Sequence, residues 1–116
     1  MISVETFRAL CLSMPEAYEV QHWGNPAFRT KKRIFATVNE AEQTVNFGFT
    51  PEVQAAFCGQ DGNSFYPVKG GWGLQGWTTT RLGKVKKSLL VSAVQSAWYG
   101  AAPGKLQEQY RMQNGL

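Results

Sequence analysis

The chain has 116 residues, 43% of them hydrophobic and 13% aromatic, which suits a single domain (residues 1–116) with a genuine core. No apolar run approaches the ~20 residues needed to span a bilayer, which excludes a membrane-spanning helix. The opening Met1-Ile2-Ser3-Val4-Glu5 lacks the basic and apolar regions of a signal peptide, so a cytoplasmic protein is expected.

Val4, Phe7, Cys11 and Met14 recur at three- and four-residue steps, which predicts a first helix with Ser3 as its N-cap and Pro15 as its stop. Tyr18 to Trp23 reads as extended, and Gly24-Asn25-Pro26 as a turn. Phe28-Arg29-Thr30 and Ile34 to Val38 should form a hairpin around Lys31-Lys32, with Phe28 and Thr30 on the side opposite Arg29. Thr44 to Phe49 is the next strand, with Val45, Phe47 and Phe49 on one face. Thr50-Pro51-Glu52 starts a second helix that carries Val53, Ala56 and Phe57 and stops near Gly59.

Phe65 to Val68 and Trp77 to Leu82 are further strands, joined by a glycine-rich loop. A last helix is expected over Lys84 to Tyr99, with an apolar stripe of Val85, Leu89, Ala93, Val94, Ala97 and Trp98. Gly100 is its expected cap, and the polar tail after about 103 is expected to fray. This order gives an α+β domain: an antiparallel sheet packed against N- and C-terminal helices, its other face carrying basic and aromatic residues.

The net charge is +4, unevenly spread: no acid lies between Glu19 and Glu40, or between Asp61 and Glu108. Arg29, Lys31, Lys32 and Arg33 cluster in the first gap, and Lys69 and Arg81 lie in the second. A protruding cationic turn can lie along a phosphate backbone, so these six are the candidate nucleic-acid contacts, with Lys69 and Arg81 as a second wing. Lys84, Lys86 and Lys87 read as the wet side of the last helix.

The same gaps hold two glycine-punctuated aromatic segments, His22-Trp23-Gly24-Asn25-Pro26-Ala27-Phe28-Arg29 and Phe65 to Arg81. His22, Trp23, Phe28, Trp72 and Trp77 are therefore the candidate lining of a pocket for a small molecule or protein.

Other chemistry has little to stand on. His22 is the lone histidine and sits near no nucleophile motif, so no catalytic residue is assigned and a non-enzymatic protein is expected. There is no Cys-x-x-Cys, no His-x-x-x-His and no dense carboxylate set, so neither metal nor other cofactor is expected. Gly70-Gly71-Trp72-Gly73 lacks the Gly-Lys-Ser/Thr ending of a P-loop. Cys11 and Cys58 read as reduced, buried small hydrophobes.

The segments His22 to Arg29, Arg33 to Val38 and Tyr66 to Thr78, followed by a closing helix, resemble the MmcQ/YjbR family from Leu10 to about Tyr99. The resemblance implies a CyaY-like (frataxin-like) α/β sandwich and DNA binding through a double-wing arrangement. Two positions depart from that pattern. The hairpin turn is Thr30-Lys31-Lys32-Arg33 where similar proteins often carry glycine, and Gly48 stands where they often carry lysine. The leading expectation is a DNA-binding domain of low sequence specificity, acting as a monomer or weak dimer.

Overall fold

The structure is a computed structural model and describes residues 1–115. Its elements in chain order are α1 (Val4–Leu12), β1 (Tyr18–His22), β2 (Asn25–Arg29), β3 (Ile34–Asn39), β4 (Thr44–Gly48), α2 (Pro51–Gln60), β5 (Phe65–Pro67), α3 (Gly71–Leu74), β6 (Trp77–Arg81), α4 (Lys87–Ala101) and α5 (Gly104–Gln113). The strands form one six-stranded sheet in the order β1-β2-β3-β4-β6-β5, antiparallel at every pairing. This is the α+β architecture the element order predicts.

Both predicted N-caps hold. Ser3 Oγ accepts from the Thr6 amide, and Thr50 Oγ1 accepts from the Val53 amide with Pro51 in the first turn of α2.

Register sorts the side chains, because directly opposed residues share a face. Phe28, Ala36, Phe47 and Thr78 make one row across β2, β3, β4 and β6; Val38, Val45, Thr80 and Phe65 make the next. Helix α4 packs over β3 and β4, α1 against α4 and β1, and α2 against β5 and β6. Under them runs a ladder of rings. Phe7 meets Phe28 and Phe47 at 5.8 Å, and Phe47, Phe49, Phe57 and Phe65 follow at 5.1–5.2 Å. The register slips between Phe28 and Arg29, which leaves Phe35 unpaired; the bulge lets it reach the core although it adjoins Ala36. Trp98 is fully buried, and its indole N–H donates to the Pro15 carbonyl at 2.9 Å, which ties α4 to the end of α1.

Four expectations need correction. Helix α4 begins at Lys87, so Val85 is buried ahead of it and the stripe runs Leu90, Ala93, Val94, Ala97, Trp98, Ala101. Gly100 lies inside α4 and Ala102 caps it, because side chains from elsewhere satisfy the last carbonyls. The tail is helical over Gly104–Gln113: α5 docks through Tyr110, 5.1 Å from Trp98 and 6.2 Å from Tyr99, while Gln107 Nε2 donates to the Tyr99 carbonyl. In α2 it is Phe57 that is buried, while Ala56 faces solvent.

Cys11 and Cys58 are free thiols, the first buried and the second half-buried. Burial pushes both thiols up. No helix among the described residues is long and apolar enough to cross a membrane.

Candidate functional site

Among the described residues, α1, α2 and α4 pack on one side of the sheet, and the short α3 reaches the other through Trp72. That other face presents Val20 and His22 from β1, Asn25 from β2, Thr37 from β3, Asn46 from β4 and Thr79 from β6, in rows set by the Val20–Ala27–Thr37–Asn46–Thr79 register. No strand residue on this face is acidic. Glu19 pairs with Phe28 on the helix side, where Arg8 Nε holds it at 3.0 Å. A bond to Glu5, and then this one to Glu19, pushes the Arg8 guanidinium up.

Across this face runs a cleft of about 420 Å³ lined by His22, Trp23, Asn25, Thr37, Asn46, Val68, Trp72 and Trp77. One wall comes from the β1–β2 hairpin. Its two-residue loop is Trp23-Gly24, with φ of 51° and 81°, the positive values that a tight hairpin requires. Asn or Gly suits the first of these positions; a bulky residue there is strained by about 1–2 kcal/mol. Trp23 is nevertheless 87% exposed, so burial does not offset that strain. It stacks on His22, with ring centroids 4.9 Å apart and planes 13° from parallel, forming a two-ring platform.

The other wall comes from the glycine-rich loop. Trp72 sits on α3 and meets Trp77 edge-on at 6.2 Å. The loop is rigidly built. A Cβ on Gly73 would lie 1.8 Å from the Val68 carbonyl oxygen, and one on Gly76 would lie 2.1 Å from that of Phe49. Only glycine permits these approaches. Gln54 of α2 clamps the loop by donating to the Gly73 and Trp77 carbonyls at 3.0 and 3.1 Å. Trp77 packs against Gly48: a Cβ there would be 3.1 Å from its six-membered ring. Gly48, a departure from the pattern of the resemblance, thus makes room for an indole.

Of the residues expected to line a pocket, His22, Trp23, Trp72 and Trp77 come together. Phe28 does not. It lies on the helix face, fully buried against Phe7, because strand alternation after the hairpin turns it away from His22. Asn25, Thr37, Asn46 and Val68 complete the lining, and the sequence does not single them out for that role. The polar Thr37, Asn46 and Thr79 do alternate with core residues in sequence, but only register shows that they form one floor.

The six cations separate into two groups. Arg29 donates to the Thr30 and Lys31 carbonyls of its own turn. Thr30 Oγ1 donates to the Ala101 carbonyl and Arg33 Nη2 to the Gly100 carbonyl, each at 2.6 Å. The hairpin is therefore tied to the C-terminal end of α4, where a guanidinium also meets the negative end of the helix dipole. It does not protrude as a free wing. Arg81 Nη1 donates to the Asn63 carbonyl at 2.8 Å and its guanidinium lies 4.6 Å over the Tyr66 ring. It ends β6 whereas Lys69 lies beyond the opposite end of that strand, so the two form no second wing. Lys31, Lys32 and Lys69 remain as exposed lysines, all at the end of the sheet where β3 and β6 begin.

Among the described residues no group of three or more His, Cys, Asp or Glu side chains is placed to hold a metal ion.

An α+β sheet with one helix-covered and one open face is the fold class these features define. The YjbR family model matches residues 12–99, and the chain belongs to that family. Among solved structures, the fold is similar to that of Deinococcus radiodurans protein DR2400, described with domain DUF419. The TM-score is 0.75 at 19% identity, covering 100% of this chain and 90% of that one. It is also similar to a Pseudomonas syringae protein, with a TM-score of 0.69 at 12% identity, covering 87% of this chain and 100% of that one. At these identities the likeness is one of fold. No curated protein matches the sequence.

Proposed function

We propose that this chain is a non-enzymatic, cytoplasmic DNA-binding domain that holds unpaired bases on its open sheet face. It acts as a monomer or weak dimer. The observation that carries this reading is Trp23: a strained, 87% exposed indole facing a second exposed indole, Trp72, across a cleft. Folding gains nothing from either exposure, and base stacking on such platforms contributes about 1–3 kcal/mol per base. The acid-free face and the exposed Lys31, Lys32 and Lys69 suit a phosphate backbone. The tethered hairpin argues against the groove-inserting wings that the family resemblance implied.

Fluorescence anisotropy with a labelled 12-nucleotide single strand and the matching duplex, at two salt concentrations, tests the proposal. The single strand should bind more tightly. Trp23→Ala and Trp72→Ala should each weaken it by about 5- to 150-fold, the range of one lost stack. Absence of single-strand binding at low salt, or variants that bind like the parent, would refute it.

The cleft's size favours a second reading, since about 420 Å³ lies within the range of small-molecule sites. A free heteroaromatic ligand then replaces the strand, and affinity would not rise with oligonucleotide length.

A further inference from the structure

We infer that Asn46 is a fixed hydrogen-bond donor on the cleft floor, and that the cleft selects a flat ring presenting a carbonyl oxygen over one presenting an amino group there. The preferred bases are then of the keto type, such as thymine. The inference rests on the nucleic-acid reading and deepens it by naming what the floor distinguishes.

The argument starts from one hydrogen bond. Asn46 and Thr79 are register partners on β4 and β6, and Thr79 Oγ1 donates to Asn46 Oδ1 at 2.7 Å. A threonine hydroxyl has a single hydrogen, and it is spent on the amide oxygen. That orients the amide: its oxygen end is held toward β6, leaving the NH2 end free to donate. Asn46 lines the cleft, and its Nδ2 has no hydrogen-bond partner among the described residues.

The surroundings point the same way. The walls carry the indoles of Trp23, Trp72 and Trp77; Trp72 and Trp77 stand at 86° to each other, so a flat ligand stacks on one of that pair and turns its polar edge to the floor. Whereas Trp98 donates to Pro15, these three indoles make no intramolecular hydrogen bond among the described residues, so they add donors. The lining contains no carboxylate to accept from an amino group. His22, Asn25 and Thr37 carry acceptors elsewhere in the lining, but at Asn46 the free amide NH2 rewards a carbonyl and leaves an exocyclic NH2 facing another NH2.

Thymine and cytosine are both pyrimidines but differ at ring position 4, carbonyl against amino, at N3, which donates in thymine and accepts in cytosine, and in the thymine methyl, so the variants Asn46→Asp and Thr79→Val carry the assignment to Asn46. The test is anisotropy with oligo-dT and oligo-dC 12-mers on the full chain, with thermal melts to verify folding. The parent should prefer oligo-dT by about fivefold, the equivalent of one hydrogen bond of ~1 kcal/mol. Asn46→Asp replaces the donor with acceptors, so the dT/dC ratio should fall below one even if added charge weakens both. Thr79→Val keeps the shape but releases the amide, and the ratio should approach one.

Equal binding of both oligomers by a parent that still depends on Trp23 and Trp72 overturns the Asn46 assignment and leaves the nucleic-acid reading standing. A ratio unmoved by Asn46→Asp does the same. No binding of either oligomer overturns both.

Discussion

The two faces of this sheet treat aromatic residues in opposite ways. All seven phenylalanines are buried, six of them in one ladder under the helices. Of the four tryptophans, only Trp98 joins them, and it brings a partner for its N–H. Trp23, Trp72 and Trp77 stand on the open face. A phenyl ring has no polar atom and gains from burial alone. An indole left at the water boundary keeps both a stacking face and a donor available. One face is built for stability; the other spends stability on exposed rings, most plainly at Trp23.

Stability measurements can break that comparison. Phe47→Ala, at the centre of the ladder, should destabilise by about 3–5 kcal/mol in urea or thermal unfolding. Trp23→Asn should leave stability unchanged or raise it by up to ~1 kcal/mol, because Asn tolerates the left-handed turn position. If the Trp23 variant lost stability on the scale of the Phe47 variant, the two faces would not differ as described.

A pH titration sharpens the same contrast. Burial raises the Cys11 thiol, so above the ordinary thiol value of about 8.5 the unfolded chain releases a proton that the folded chain keeps. The folded state then binds more protons. Stability is fully present below that value and should fall by about 1.4 kcal/mol per pH unit above it. Cys11→Ala should flatten this alkaline slope, although its overall stability is lower. An unchanged slope would mean that the thiol is not held protonated by the core.

The smallest effects separate the cations. Arg33→Ala removes a helix-capping bond and should cost about 0.5–1.5 kcal/mol, with little change in the salt dependence of the proposed single-strand binding. Lys31→Ala and Lys32→Ala should stay within ~0.5 kcal/mol. Each should lower the single-strand salt slope by about 0.7 per lost phosphate contact. The reverse pattern would return Arg33 to the binding surface and make the lysines structural.

Much of the fold was legible in sequence because its signals are local. Ser3 and Thr50 cap their helices three residues away, Val45-Phe47-Phe49 alternate within one strand, and the basic and aromatic segments fall in acid-free gaps. The same locality misled at Phe28. It shares a motif with His22 and Trp23, but a hairpin reversal and strand alternation send it to the other side of the sheet. It misled again at Arg33, where a polar turn reads as free although its partner is a carbonyl 67 residues away. The tail reads as loose in sequence for a similar reason, since α5 docks through the packing of Tyr110 against Trp98 and Tyr99.

The sequence by itself determined the starts of α1 and α2, the approximate strands, the family, and which rings and cations were available. The tertiary structure alone decided which face each one joined. Periodicity reports that a residue alternates with its neighbours, whereas the cleft depends on the pairing of Thr37 with Asn46 and of Asn46 with Thr79, and on two loops brought together across the sheet. Register and loop placement are set by the sum of contacts over the whole core, so no window of sequence contains them.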